Sequence, residues 1–368
     1  MRNSTTFPAP VEKKALIAMS GGVDSSVAAL LCQQAGYDCL GVTLALTDNS
    51  DRGQPEEKFP GARTCCSVDD VADARSVAFR LGMPFYVFNF KEAFRREVMD
   101  RFAAAYQRGE TPNPCVDCNR YIKFGKLMRR GEEIGFPYVA TGHYARKDTG
   151  PDGRARLRKG KPSNDQSYML ARLPQEILSR CVFPLGDYEK TEVRELARSF
   201  GIPVADKPDS MEICFIPDGD YAAWLEQRGF STPEGNFVDK DGNVLGRHKG
   251  IHHYTLGQRR GLGVSGPHRY FVSAIRPDRA EVVLSDGSDL YVSQARCTAL
   301  NWVALAGLTA DRSCTVRFRH SKAETEAVLH PNGDFVDIST LTPARAPTPG
   351  QLAVFYEDDI VLGSGWIV

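Results

Sequence analysis

The stretch AMSGGVDSS, residues 18–26, lies between two apolar runs, ALIA and VAALL. Ala18, Met19, Ser20, Gly21, Gly22, Val23, Asp24 and Ser25 thus form a strand-to-helix turn. Its bare amides and hydroxyls at a helix N-terminus make a ready anion site. The lysine that a Walker A loop places beside its terminal Ser or Thr is missing. Without it the loop is poorly built to move a γ-phosphoryl group. It suits splitting ATP between the α and β phosphates, holding pyrophosphate while AMP passes to a substrate. Asp24 offers a carboxylate for the Mg2+ that accompanies ATP. As a turn residue beside ligand, Asp24 should contribute little to packing. The plain alternative is an ordinary capped turn, and the glycines, hydroxyls and flanking elements together weigh against it.

Thiols supply the second chemistry. In TPNPCVDCNRYIKFG, residues 111–125, two prolines impose an extended loop before Cys115 and Cys118. The helix that follows holds Lys123, Lys126, Arg129 and Arg130. A cysteine near a helix N-terminus and cations has a depressed pKa, and its thiolate is the reactive form. Cys115 and Cys118 also fit half a zinc site, but no second pair stands at a suitable spacing. Cys214, between Ile213 and Phe215, reads by itself as a buried, inert thiol. Cys32, Cys39, Cys181, Cys297 and Cys314 read as packing residues, and Cys65 and Cys66 have no assigned role. The basic runs RARLRKGKP and HKGIHHYTLGQRRGLG, like Arg317, Arg319 and His320, are either solvated charge or contacts to a phosphate backbone.

An alternation of strand and helix over the first two hundred residues must position these groups. ALIAM, CLGVTLAL, PFYVFNF and YVATGHYAR read as strands. Helical faces run from Val27 to Ala35, through Val71, Ala74, Ala78 and Leu81, and through Phe94, Val98, Phe102 and Ala105. Another is marked by Phe124, Leu127 and Met128, and Ser67 with Asp70 resembles a capping box. The pattern predicts an α/β fold, a doubly wound and mostly parallel sheet. Ligands of such sheets sit beyond the carboxyl ends of the strands, which would gather SGGVDS, LALTD and TGH around one crevice. After about residue 205 short β-like runs dominate, and those after about 290 suggest a small β-barrel or sandwich. The 46 basic and 46 acidic side chains cancel, so no global field announces a nucleic-acid partner. The opening residues lack a signal-peptide core and no run is long enough to span a bilayer. Ten cysteines then point to a reducing cytoplasm.

Seven stretches in order along the chain, SGGVDSS, TPNPCVDCNR, ATGHYAR, NDQSYML, DSMEICFI, YTLGQRRGLG and TPGQLAVFY, resemble the bacterial tRNA-specific 2-thiouridylase family of the ATP-pyrophosphatase (PP-loop) superfamily. The resemblance implies an adenylating α/β domain over 1–205, a small central domain over 206–285 and a tRNA-binding β-barrel over 286–368. It implies that ATP activates the C2 oxygen of the wobble uridine of a tRNA. A persulfide sulfur, delivered by a relay protein or a cysteine desulfurase, then gives 2-thiouridine. By motif, Cys214 corresponds to the persulfide carrier and Cys118 to the second catalytic thiol, with a Cys118–Cys214 disulfide as the product. Residues 18–25, Leu44 and Gly142 correspond to ATP contacts. Asn113, Pro114 and Cys115 correspond to the stretch meeting the target base. His143, Asn164, Asp165, Gln166, Arg317, Phe318 and Gln351 correspond to tRNA contacts. Cys115 stands where some members have Asp, and Asn164 where a lysine often precedes Asp-Gln. Three thiols also allow an iron–sulfur route through Cys115, Cys118 and Cys214, which is less favoured because members with Asp lack the third thiol. An amidating ligase with the same loop, or a noncatalytic RNA-binding module, are the rival functions.

Overall fold

The computed structural model describes residues 13–47, 68–161, 163–208, 213–216, 218–321 and 323–368. Cys65, Cys66 and Ser67 of the anticipated capping box lie outside the described residues, as do residues 209–212 just before Ile213.

The strands described up to residue 182 are β1 (Lys14–Ala18), β2 (Asp38–Ala45), β3 (Phe85–Asn89), β4 (Tyr138–Ala140), β5 (Ala145–Thr149), β6 (Ala155–Lys159) and β7 (Cys181–Val182). Five of them form the anticipated parallel sheet, in the order β3-β2-β1-β4-β7. Ala15, Leu16 and Ile17 of β1 are fully buried, as a central strand covered on both faces requires. Leu16 faces one apolar layer and its neighbours the other, following the period of two. The first layer is built by two long helices, α3 (91–107) and α4 (114–133), each with a π-helical stretch inside it. The opposite layer is built by α1 (Val23–Gln34), α2 (Val68–Arg80) and α5 (Lys190–Ser199). Helix α1 begins at Val23, four residues before the apolar run at Val27, because Gly22 takes an extended N-cap conformation. It ends where Gly36 takes a left-handed φ of 80°, the usual place for glycine just past a helix C-terminus.

The chain winds outward from β1 to β2 in one direction and to β4 in the other. The switch point therefore lies beyond the carboxyl ends of β1 and β4, where doubly wound sheets bind ligands.

Helix α6 (Tyr221–Gln227) leads into a four-stranded sheet, β10-β11-β8-β9, made of β8 (Gly235–Val238), β9 (Val244–His248), β10 (Phe271–Arg276) and β11 (Glu281–Ser285). The last six strands, β12 (Tyr291–Trp302), β13 (Arg312–Arg317), β14 (Thr325–Asn332), β15 (Phe335–Arg345), β16 (Leu352–Glu357) and β17 (Ile360–Ile367), close through β12–β17 pairing into a barrel rather than a sandwich.

The YVATGHYAR segment divides between two sheets. Tyr138–Ala140 stays parallel beside β1, while β5 and β6 form a hairpin appended to β17 of the barrel. The basic run on β6 is consequently internal to that join. Arg156 donates to Asp148 at 2.7 and 2.6 Å, Arg158 pairs with Asp359 at 3.1 Å and Lys159 with Glu324 at 2.7 Å. These side chains serve as ties between segments, a role distinct from both solvated charge and phosphate contact. No helix among the described residues is long and apolar enough to cross a membrane.

Candidate active site

A cleft opens at the switch point. It is lined by Ala18, Met19, Ser20, Asp24 and Ser25 of the glycine loop, by Val42 and Leu44 of β2 and Leu46 just after it, and by Thr141, Gly142 and His143 after β4. Lys123 of α4 and Gln166 complete the wall. Apolar side chains from β2 thus face polar groups from the two loops, a division suited to a base at one end and phosphates at the other. Gly21, Gly22 and Val23 do not line it; they shape the turn. Gly21 takes a φ of 72°, and a Cβ there would meet the Asp70 carbonyl oxygen at 2.3 Å. Gly22 N-caps α1 with no side-chain cap, and its carbonyl accepts from the Ser25 and Ser26 hydroxyls at 3.1 and 2.9 Å. The α1 amide end is therefore directed at the cleft without a capping side chain in the way.

The lysine missing from the loop arrives from elsewhere in the chain. Lys190, at the start of α5, donates to both carboxylate oxygens of Asp24 at 2.7 Å, and the Tyr144 hydroxyl donates to the same group at 2.7 Å. Lys207 donates to the Gly21 carbonyl at 3.2 Å and to Asp70 and Asp73 at 2.7 and 2.6 Å, fastening the turn to α2. Asp24 is thus a junction between three segments, which corrects the expectation that it contributes little to packing. One signal in the sequence could have singled out Lys190, though it was not used in reading the chain. A cation in the first turn of a helix opposes the macrodipole and needs an acidic partner to sit there.

His143 is half-buried, edge to face with Phe183 and tilted on Phe124, and its Nδ1 lies 2.8 Å from the Thr141 hydroxyl. Burial, with Lys123 nearby, pushes its pKa down to about 3, so the imidazole is neutral at physiological pH. Gly142 has no room for a side chain, because a Cβ would stand 2.7 Å from the Asp24 carbonyl carbon and the Ser25 nitrogen.

The thiols lie outside the cleft lining, and the helix that carries Cys118 reaches the cleft through Lys123. Asn113 and Pro114 are buried at the start of α4, Cys115 is exposed, and Cys118 is buried. The π-helical stretch Cys118–Lys126 follows directly and delivers Lys123 to the cleft. A wide turn of this kind is frequent at functional sites, and Gly125 permits it, since a Cβ would meet the Arg120 carbonyl oxygen at 2.7 Å. Cys214 is half-buried and packs against the same apolar cluster that contains Cys118. Its neighbour Phe215 is the anchor, with ring centroids 5.7 Å from Phe94, 5.5 Å from Phe102 and 5.1 Å from Trp224. The fold therefore brings Cys118 and Cys214 to one layer. Cys39, Cys181, Cys297 and Cys314 are pushed up to about 12 by burial, and Cys32 is raised for the same reason. That is the behaviour of packing thiols.

The remaining residues of the resemblance sit at joins between segments. Asp165 accepts from Gly160 and Ser167 amides at 3.0 Å and from Arg317 at 2.5 Å. Arg317 also donates to Glu324 at 2.7 Å. Asn164 is half-buried on the adjoining turn, and Gln166 accepts from the Tyr144 amide at 2.9 Å. Phe318 is buried in the barrel core. Gln351 donates to the Thr111 and Pro112 carbonyls at 2.8 and 3.2 Å, holding the approach to the cysteine loop from the barrel side.

Three family models match successive stretches of the chain. Family models described as the tRNA methyl transferase HUP domain, the tRNA methyl transferase PRC-barrel domain and the aminomethyltransferase beta-barrel domain match residues 13–218, 223–286 and 292–367. The tRNA-specific 2-thiouridylase MnmA of Geobacter metallireducens is 47% identical over 360 residues, covering 96% of each chain. Its namesake in Lachnoclostridium phytofermentans is 45% identical over 97% of this chain and 99% of its own. A solved 4-thiouridine synthetase–RNA complex with bound ATP is similar at 20% identity and a TM-score of 0.34, covering 59% of this chain and 50% of that one. With identity of this order over the full length of such relatives, the chain belongs to the tRNA-specific 2-thiouridylase family.

Proposed function

We propose that this chain is a tRNA-uridine 2-sulfurtransferase that uses ATP to convert the wobble uridine of tRNA to 2-thiouridine in the cytoplasm. The observation that carries the reading is the joint placement of a nucleotide-sized cleft over a lysine-free glycine loop and of two sequence-distant thiols, Cys118 and Cys214, in one layer beside it.

The family resemblance supplies the steps, and that placement is compatible with them. The C2 oxygen of the uracil attacks the α-phosphorus of ATP, and pyrophosphate leaves against the α1 amides, Ser20, Ser25 and the Lys190 ammonium. The terminal sulfur of a Cys214 persulfide, supplied by a relay protein or cysteine desulfurase, attacks C2 and expels AMP. The Cys118 thiolate then attacks the Cys214 sulfur. The transferred sulfur leaves with its electron pair as the thiocarbonyl, and a Cys118–Cys214 disulfide remains for an external thiol to reduce. Neutral His143 and the Asn113–Cys115 stretch flank the reacting base, and Gly142 meets ATP with Leu44. Asn164, Asp165, Gln166, Arg317, Phe318 and Gln351 border the tRNA through the joins they make, with the barrel over 286–368 as its support. Asp24 is the single carboxylate lining the cleft among the described residues. A Mg2+ ion entering with ATP fits it, since that ion takes one or two carboxylates plus phosphate oxygens, and it would share Asp24 with Lys190.

Incubation with ATP, unmodified tRNA and a persulfide donor tests the proposal by yielding AMP and 2-thiouridine in equal amounts. AMP with no thionucleoside would indicate an amidating ligase. Binding of tRNA with no AMP would indicate a noncatalytic module.

A further inference from the structure

The segment TLGQRRGLGVSGPHRY, residues 255–270, holds three arginines and a histidine with no Asp or Glu. It is the long connection entering β10, pinned to the central sheet by Leu262, which packs in one apolar cluster with Phe237, Tyr254 and Val272. Around that anchor the chain folds into a cleft lined by Arg259, Gly263, Ser265, His268, Arg269 and Tyr270. Gly261 and Gly263 take left-handed φ values of 77° and 65°. A Cβ at Gly263 would meet nothing within 4 Å, so conformation rather than crowding calls for glycine, and bare backbone is left facing the cleft.

Several arginines elsewhere in the structure are answered by acids. Arg317, Arg156, Arg158 and Arg296 all sit in ion pairs. Arg259, Arg260 and Arg269 are exposed and take part in no ion pair among the described residues. Three like charges on one acid-free loop repel one another, and an anion offsets that repulsion. Arg259 and Arg269 line the cleft and Arg260 is the sequence neighbour of Arg259 outside that lining, an arrangement that suits successive phosphates of one chain.

The position of the cleft agrees. A Cβ at Gly257 would lie 3.8 Å from that of Ala346 on the barrel. Arg319 donates to the Arg345 and Ala346 carbonyls at 2.7 and 3.1 Å, and a Cβ at Gly350 would meet Thr111 at 3.0 Å. Central loop, barrel turn and the approach to Cys115 are therefore consecutive neighbours. We infer that the Arg259–Arg269 cleft is an RNA backbone site, at which the central domain grips tRNA phosphodiesters away from the reacting uridine. This rests on the tRNA reading above.

The test is tRNA binding across a salt series, with thiolation assayed in parallel, for the wild type, R259Q/R269Q and the control R247Q. Arg247 is an exposed arginine of the same sheet that pairs with Glu234 at 3.4 Å. Removing two arginine–phosphate pairings should flatten the slope of log K against log salt by about 1.8 on duplex. KM for tRNA should rise, while AMP formation at saturating tRNA and the melting temperature stay unchanged. R247Q should keep the wild-type slope. An unchanged slope in R259Q/R269Q, in a wild type that binds and thiolates tRNA, overturns this inference alone. An equal change in R247Q overturns it too, since diffuse charge would then suffice. A wild type that binds no tRNA at any salt overturns both readings together.

Discussion

Lys190 pairs with Asp24, which lines the cleft, and under the proposed function the pair would keep a cation within reach of phosphate at a lysine-free loop. Lys190→Gln should leave the fold in place and lower AMP formation by about a hundredfold to a thousandfold, the usual loss for one well-aimed electrostatic group, with Lys190→Arg recovering part of it. Asp24→Ala should do more. It removes the acceptor of two partly buried donors, so a stability loss of about 2 kcal/mol, readable as a lower denaturant midpoint, should accompany the loss of AMP. At the thiols, Cys118→Ser and Cys214→Ser should each abolish thiolation while Cys115→Ser retains most of it. An inactive Cys115→Ser that has also lost stoichiometric iron would favour the iron–sulfur route. His143 gives a pH prediction. Its folded pKa is lowered toward 3 from an ordinary 6.5, so below about pH 6.5 the unfolded chain takes up a proton that the folded chain refuses. Stability should fall as pH drops through that window, and His143→Gln should flatten that part of the melting-temperature profile.

Among elements, close backbone approach does the positioning, and this is where sequence was informative about place but silent about contact. The α/β alternation, the crevice and the glycine loop were legible, because apolar periodicity and turn residues are local signals. Lys190, Tyr144 and Lys207 were not, since they reach the loop from segments more than a hundred residues away. Cys214 read as an inert thiol for the same reason: Ile213 and Phe215 describe its burial, and only the fold supplies Cys118 in the same cluster. The π-helical stretch after Cys118 left a single trace, Gly125 inside a helix. Gly142→Ala isolates the effect of approach. Its Cβ would press on the first turn of α1, which backbone cannot relieve by a rotamer change. A loss of about 1–3 kcal/mol is expected, with ATP binding lost and tRNA binding retained; normal ATP affinity in this variant would separate Gly142 from the cleft.

At the scale of the whole molecule, the barrel is built into the catalytic domain rather than hung from it. The β5–β6 hairpin leaves the α/β domain to extend the barrel sheet, and the Tyr168 hydroxyl donates to the Leu352 carbonyl at 3.0 Å. Cutting the chain near residue 290 would therefore strip partners from both parts, and a point change is the sharper probe. Arg317 is that point. Its side chain is 7% exposed and that of Asp165 3%, and their 2.5 Å contact spans barrel and catalytic domain, with Glu324 as a second acceptor. Removing one partner of a buried pair costs about 3–5 kcal/mol, because the other charge is stranded. Arg317→Met should accordingly lower the melting temperature and weaken thiolation together, and adding Asp165→Asn should restore part of the stability by removing the stranded carboxylate. A purely RNA-gripping arginine behaves differently. Arg317→Met would then keep its melting temperature, flatten the salt dependence of tRNA binding by about 0.9, the share of a single phosphate, and gain nothing from Asp165→Asn. Thermal melts and salt-dependent binding of the single and double variants decide between a tie that aligns two domains around the anticodon and a direct contact to it.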